Sequence, residues 1–131
     1  ILRQSLPRGL ELDPATLRRL CESFVDNLVT MHAVDYEKAG LADLGKPAGY
    51  VERQLKGWTD RYLNAQTDDI PAMKEVADWL EKNRPGEVGA SLIHNDYKFD
   101  NIVLDVQDIT KSIGVLDWEM ATIGDPLMDL G

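Results

Sequence analysis

The residues with the most chemical potential sit in one stretch, His94-Asn95-Asp96-Tyr97-Lys98-Phe99-Asp100-Asn101, with Asp117-Trp118-Glu119 beginning sixteen positions after Asn101. Two carboxylates and an amide on a polar loop, framed by short apolar runs, are a set that metal-assisted phosphoryl transfer needs. One carboxylate has to take the proton of an attacking hydroxyl. An amide oxygen and a second carboxylate have to hold Mg2+, which prefers hard oxygen ligands. Phosphoryl transfer leaves little covalent work to a protein, so positioning and charge neutralisation dominate. A lone Asp is usually a turn or cap residue. The weight here comes from four residue types, His94, Asp96, Asn101 and Asp117, falling in this order together.

Such a loop has to be held by its neighbours. Ser91-Leu92-Ile93, Ile102-Val103-Leu104 and Ile113-Gly114-Val115-Leu116 are short, apolar and rich in β-branched residues, and they read as small strands. The last two, joined by a polar turn around Gln107-Asp108, read as a hairpin. Upstream the texture is helical. Asp13 is a good N-cap and Pro14 suits the first helical position, where its missing N–H costs nothing. Leu17, Leu20, Cys21, Phe24, Leu28 and Met31 recur at helical spacing and predict a helix over 14–33 with one apolar stripe. Gly40, Gly45 and Pro47 mark 35–47 as a loop with one short turn. A second helix is expected over 48–65, with Val51, Leu55, Trp58 and Tyr62 on one face. A third is expected from Pro71 to 83, with Met73, Val76, Ala77 and Leu80 together and Pro85-Gly86 ending it. Gly124-Asp125-Pro126 repeats the cap-plus-proline signal and predicts a further helix from Pro126. Residues 1–12, with Pro7 and Gly9, read as an irregular lead-in.

The chain has 131 residues, enough for one domain with a sizeable core. An apolar fraction of 44% is ordinary for a globular chain and argues against wholesale disorder. A net charge of −9 argues against a nucleic-acid or anionic-membrane surface and suits a cationic substrate, although most of the carboxylates are solvated. Cys21 is the single cysteine, which excludes an intrachain disulfide. It equally excludes a structural zinc site built from four cysteines, or from two cysteines and two histidines, and it permits a reducing, cytoplasmic setting. No secretory signal and no apolar run of membrane-spanning length is visible.

The wording of the chemical stretch resembles a known family. The pattern His-x-Asp, with Asn five residues after the Asp, is similar to the catalytic loop of the protein-kinase-like superfamily. More closely, Leu92-Ile93-His94-Asn95-Asp96-Tyr97, Asn101-Ile102-Val103-Leu104-Asp105, Gly114-Val115-Leu116-Asp117-Trp118-Glu119 and Gly124-Asp125-Pro126-Leu127-Met128-Asp129-Leu130 follow the order of the aminoglycoside phosphotransferase (choline kinase-like) family. The His94–Asn101 wording is most similar to the phosphotransferase domain found beside acyl-CoA dehydrogenase domains. The resemblance implies an α+β fold, a mostly helical kinase-like C-terminal lobe whose small hairpin carries the catalytic and metal loops. Its helical part would cover 13–85 and its catalytic part 90–131. It implies Asp96 as the base, Asn101 and Asp117 as ligands of Mg2+ on ATP or GTP, and His94 as a support of the loop. Lys98 would neutralise the transferring phosphoryl, Asp129 would receive backbone N–H groups of the loop, and Glu119 would assist at one remove from the metal. Trp118 and Glu119 stand where protein kinases carry Phe and Gly, which favours the small-molecule branch.

The chain itself shows no Gly-x-Gly and no Val-Ala-x-Lys strand, so the nucleotide-gripping lobe is expected upstream and further helices downstream. Apolar faces are expected to lie uncovered where those parts would pack. The implied function is phosphorylation of a small-molecule hydroxyl: a hydroxyacyl-CoA, an aminoglycoside, choline, homoserine or a sugar. Two alternatives stand beside it, a non-catalytic pseudokinase-like binding module and a metal-dependent hydrolase using clustered Asp residues. Other polar residues have plainer readings. Asp100 and Asp105 are exposed loop carboxylates, Asp125 is an N-cap and His32 is packing. Cys21 lies on a core face, and Trp58 and Trp79 are core or interface residues.

Overall fold

The computed structural model describes residues 1–2 and 9–130; most of the lead-in around Pro7 lies outside the described residues. Helix α1 spans Pro14–His32. Its first turn is closed by Asp13, whose carboxylate accepts from the amides of Ala15 and Thr16 at 2.9 and 3.0 Å and from the Thr16 hydroxyl at 2.7 Å. A 3-10 turn over Ala42–Leu44 follows. Helices α2, Tyr50–Ala65, and α3, Pro71–Asn83, come next. The remaining chain makes four short strands: β1 (Ser91–Ile93), β2 (Ile102–Leu104), β3 (Ser112–Val115) and β4 (Thr122–Gly124). They pair as two antiparallel ribbons, β1 with β4 and β2 with β3.

Helix α1 lies across both ribbons. Leu20 packs with Ile102 and Leu104 of the hairpin and with Leu2, while Leu28 and Met31 pack with Leu92 and Ile123 of the β1–β4 ribbon. Each of these buried apolar side chains contributes roughly 1.5–3 kcal/mol. Tyr97 touches both clusters, so the residue after Asp96 is where the two halves of the core meet.

The predicted apolar face of α1 needs correction, because Leu17 and Cys21 are exposed. The buried side of α1 is Leu20, Leu28 and Met31 with Phe24 half-buried, a narrower stripe because two thin ribbons cover less of the helix than a full layer would. The helix start expected at Pro126 is present as a 3-10 helix over Pro126–Leu130, one residue after β4. Trp58 and Trp79 are 61% and 60% exposed, so neither is a core residue, and α3 buries none of its residues. Its Met73, Val76 and Leu80 are also exposed, as expected of an apolar face that other parts would cover.

Helix α2 starts at Tyr50, two residues later than its pattern predicts, because Gly49 turns left-handed at φ 68° and supplies no side-chain cap. The cap comes from far along the chain. The Glu87 carboxylate accepts from the amides of Gly49 at 3.1 Å and Val51 at 3.3 Å. The segment carrying Glu87 is fixed in turn by Asp125, which accepts from the amide of Val88 at 2.9 Å while its other oxygen caps Leu127.

Candidate active site

The loop between β1 and β2 carries His94 through Asn101. Fully buried His94 has both ring nitrogens engaged. Its Nε2 lies 2.8 Å from the carbonyl of Leu116, and its Nδ1 lies 3.3 Å from the amide of Asp96. These partners fit the tautomer with the proton on Nε2: that nitrogen donates to a carbonyl and the other accepts from an N–H. His94 thereby joins the backbone at Asp96 to the residue before Asp117. The Trp118 ring leans on it at 5.0 Å between centroids.

Asp96 is clamped from two sides. Lys98 Nζ approaches its oxygens at 2.9 and 2.7 Å. Asn101 Nδ2 donates to its Oδ2 at 3.0 Å and to its backbone carbonyl at 2.9 Å. The Lys98 ammonium is the larger influence. It holds Asp96 below the ordinary carboxylate value and raises its own; loss of water at Asp96 opposes this and Asn101 reinforces it. Asp96 is therefore an anion at neutral pH. Asn101 spends its Nδ2 on Asp96, and among the described residues its Oδ1 accepts no hydrogen bond.

Asp117 is placed by the hairpin. Ile102 pairs with Val115, and the amide of Leu116 donates to the Asn101 carbonyl at 2.8 Å, so Asn101 and Asp117 sit at the same end. Asp117 adopts φ 66°, a left-handed conformation that Asp tolerates better than most residues, and its side chain is exposed. Its charge reaches Lys98, whose pKa it helps to raise. Among the described residues the Asp117 carboxylate accepts no hydrogen bond. Asn101 Oδ1 and the Asp117 carboxylate are thus two hard oxygens carried at the same end of the hairpin. This fits Mg2+, which takes one or two carboxylates and leaves its other positions to phosphates and water. Among the described residues no three His, Cys, Asp or Glu side chains cluster as a metal cage.

Behind the loop stands Asp129, whose side chain is completely buried. Its Oδ1 accepts from the amide of Asn95 at 2.7 Å, and its Oδ2 accepts from the amide of His94 at 3.0 Å and lies 2.8 Å from His32 Nε2. His32 is therefore more than packing, since it ties the end of α1 to this carboxylate. Glu119 is exposed in the 3-10 turn Trp118–Met120 and makes no side-chain hydrogen bond among the described residues. Asp100 is exposed, whereas Asp105 is partly buried and its Oδ1 accepts from the amides of Gln107 and Asp108, shaping the hairpin turn.

Tyr97, Asn95 and Tyr50 brace the site in ways that the sequence reading did not assign to them. The Tyr97 hydroxyl donates to the Phe24 carbonyl at 2.8 Å and accepts from Asn27 at 2.9 Å, which fastens the loop to α1. Asn95 and Tyr50 bond each other across the loop. The only hint is Asn95 itself, since Asn is the side chain that best tolerates the positive φ, 62°, it adopts. A cleft of about 350 Å3 opens between α2 and α3, edged by Glu52, Asp60, Asp78 and Glu81, but none of Asp96, Asn101 and Asp117 lines it.

A loop with a clamped carboxylate and a hairpin presenting two hard oxygens, braced from beneath by one helix and a buried Asp, have the form of a kinase-like phosphotransferase lobe. The fold agrees with solved structures. A Ralstonia eutropha JMP134 protein assigned to the aminoglycoside phosphotransferases matches 99% of the chain with TM-score 0.88 and 36% identity. A macrolide 2'-phosphotransferase type I matches 99% with TM-score 0.72 and 19% identity. The chain belongs to the phosphotransferase enzyme family (APH), whose profile matches residues 2–131. Human acyl-CoA dehydrogenase family member 11 is 40% identical over 120 residues. The match takes in 91% of the chain but 15% of that relative, and the chain covers 39% of the Ralstonia protein. Among the described residues no helix is long and apolar enough to cross a membrane.

Proposed function

We propose that these residues are the base-and-metal half of an ATP- or GTP-dependent enzyme that phosphorylates a hydroxyl of a small molecule. The observation that carries this reading is the clamp on Asp96: Lys98 and Asn101 both bind its carboxylate, and Asn101 and Asp117 stand at the same end of the hairpin. Asp96 aligns the acceptor hydroxyl and takes its proton as the new O–P bond to the γ-phosphorus forms and the bond from that phosphorus to the bridging oxygen breaks, releasing ADP or GDP. With a depressed pKa it is a weak base, so its main work is orientation and late proton acceptance. Lys98 releases one Asp96 oxygen as the hydroxyl enters and faces the negative charge of the transferring group. Asn101 Oδ1 and the Asp117 carboxylate would hold Mg2+, which would supply neutralisation of the nucleotide's phosphate charge.

The nucleotide-gripping lobe and further helices belong to the rest of the polypeptide, and the working compartment is the cytoplasm. The human relative's name prints an acyl-CoA, which makes a hydroxyacyl-CoA the first acceptor to try, with an aminoglycoside, choline, homoserine and a sugar beside it. The test is a panel of these acceptors with Mg2+ and ATP or GTP, run on the full-length polypeptide with wild type and Asp96→Asn. Transfer to one acceptor class, lost by several orders of magnitude in Asp96→Asn with nucleotide affinity retained, is the expected result. Unchanged turnover in that variant rules out the base assignment. Nucleotide binding with no transfer to any acceptor favours a non-catalytic binding module. The 131-residue chain alone is expected to be inactive, and ATP turnover by it would refute that.

A further inference from the structure

We infer that Asn95 and Tyr50 form one positioning link that couples the α2–α3 helical hairpin to the base; the functional part of this rests on the proposed phosphotransfer. Asn95 precedes Asp96, so its backbone sets the direction in which Asp96 leaves the loop. It is held from three sides by three different elements. Its amide N–H goes to Asp129 at 2.7 Å. Its Nδ2 donates to the carbonyl of Met120 at 2.9 Å, in the turn that follows Asp117. The same Nδ2 donates to the Tyr50 hydroxyl at 3.1 Å, and that hydroxyl reaches back to Oδ1 at 3.3 Å. The bond to a carbonyl identifies the nitrogen end of the amide and fixes its orientation.

Tyr50 opens α2 and is itself held firmly. It is buried, and the amides on either side of it, those of Gly49 and Val51, are both bound by Glu87. Its ring lies against Gly124 so closely that a Cβ there would come within 2.9 Å of the ring edge. The start of α2 therefore cannot shift without moving the Tyr50 hydroxyl. The hydroxyl is bonded to Asn95, which is also bonded to the far side of Asp117. α2 and α3 have few buried residues and an open cleft between them, so the hairpin is free to respond to an occupant, whereas its first turn is not. A displacement of the hairpin thus reaches the base and the metal-side turn through this pair. In catalysis a misplacement of about 1 Å costs on the order of a hundredfold in rate.

The test uses Tyr50→Phe, which removes one hydroxyl from a packed ring, and Asn95→Gly, which keeps the left-handed backbone and removes the amide. Both are read in the full-length polypeptide. Each should lower kcat about tenfold, the worth of one well-placed hydrogen bond, with KM for the nucleotide unchanged. The double variant should fall no further than the worse single one, because the two residues act as one link. Independent effects would instead multiply to about a hundredfold. Multiplying losses, or unaltered kcat in both singles, overturns the inference. Amide hydrogen exchange gives a readout that needs no turnover. Tyr50→Phe should speed exchange of the 94–97 amides while leaving those of α1 as they are, and unchanged 94–97 amides overturn the link. If wild type phosphorylates none of the acceptors, the proposed function fails while the exchange result still decides the coupling.

Discussion

Replacing Asp129 by Asn exchanges one oxygen of a buried carboxylate for an NH2 group. The native carboxylate takes three donors: the amide of Asn95 on Oδ1, and the amide of His94 with His32 Nε2 on Oδ2. A carboxamide can serve only one of these sides. In its better orientation the oxygen keeps His94 and His32, and the NH2 group meets the Asn95 N–H head-on. One charge-assisted bond, worth about 1.5–3 kcal/mol, is lost, and a buried donor is stranded at a further 1–3 kcal/mol or so. The two costs overlap, because both count the same amide, so a net loss of about 3 kcal/mol follows. Urea unfolding of the variant against wild type measures it, with equal m-values required. Exchange of the Asn95 amide supplies the local check and should accelerate more than that of any α1 amide. A stability loss under about 1 kcal/mol, or an Asn95 amide as protected as before, would refute the account of Asp129 as the loop's anchor.

Lys98→Met should move the acid limb of the rate profile upward. Asp96 has to be ionised to act, its pKa is depressed chiefly by Lys98, and activity disappears as pH falls through that pKa; without Lys98 the limb rises towards the ordinary 3.8, and a fixed limb would contradict the pairing. Asp117→Ala should raise the Mg2+ concentration needed for half-maximal turnover by at least the roughly 10–100-fold typical of losses one step removed from a metal, and an unaltered metal dependence would count against it as a ligand. Gly124→Ala places a methyl 2.7 Å from Ile93 Cδ1 and 2.9 Å from Tyr50 Cδ1, so it should cost about 1–3 kcal/mol by overpacking, measured by urea unfolding.

Where local chemistry decides the structure, the sequence was readable. Asp13-Pro14 starts α1 and Pro71 starts α3, because caps and prolines act within one turn. The β2–β3 hairpin follows from two β-branched runs around a polar turn. β4 was not legible. Thr122-Ile123-Gly124 is too short to show a period, and it is a strand because β1, about thirty residues earlier, pairs with it. The same distance effect hid the start of α2, whose cap is Glu87. Helical periodicity showed which side chains of α1, α2 and α3 share a face, but not whether anything covers that face. Cys21, Trp58 and Trp79 lie open for that reason. In the site, the residue types and spacing of His94, Asp96, Asn101 and Asp117 marked the chemical loop. The supports His32 and Tyr50 come from distant positions, and their roles, like those of Asn95 and Tyr97 beside Asp96, depend on hydrogen bonds that only the fold creates.

The capping of α2 by Glu87 has a consequence for the order in which the protein assembles. On the ribosome, α2 emerges more than twenty residues before the carboxylate that satisfies its first turn. Until Glu87 arrives, the amides of Gly49 and Val51 are satisfied by water, and the helix start frays. Tyr50 then has no fixed seat from which to reach Asn95. Closure of this helix start therefore waits for the segment around Glu87, which emerges just before the loop it helps to shape.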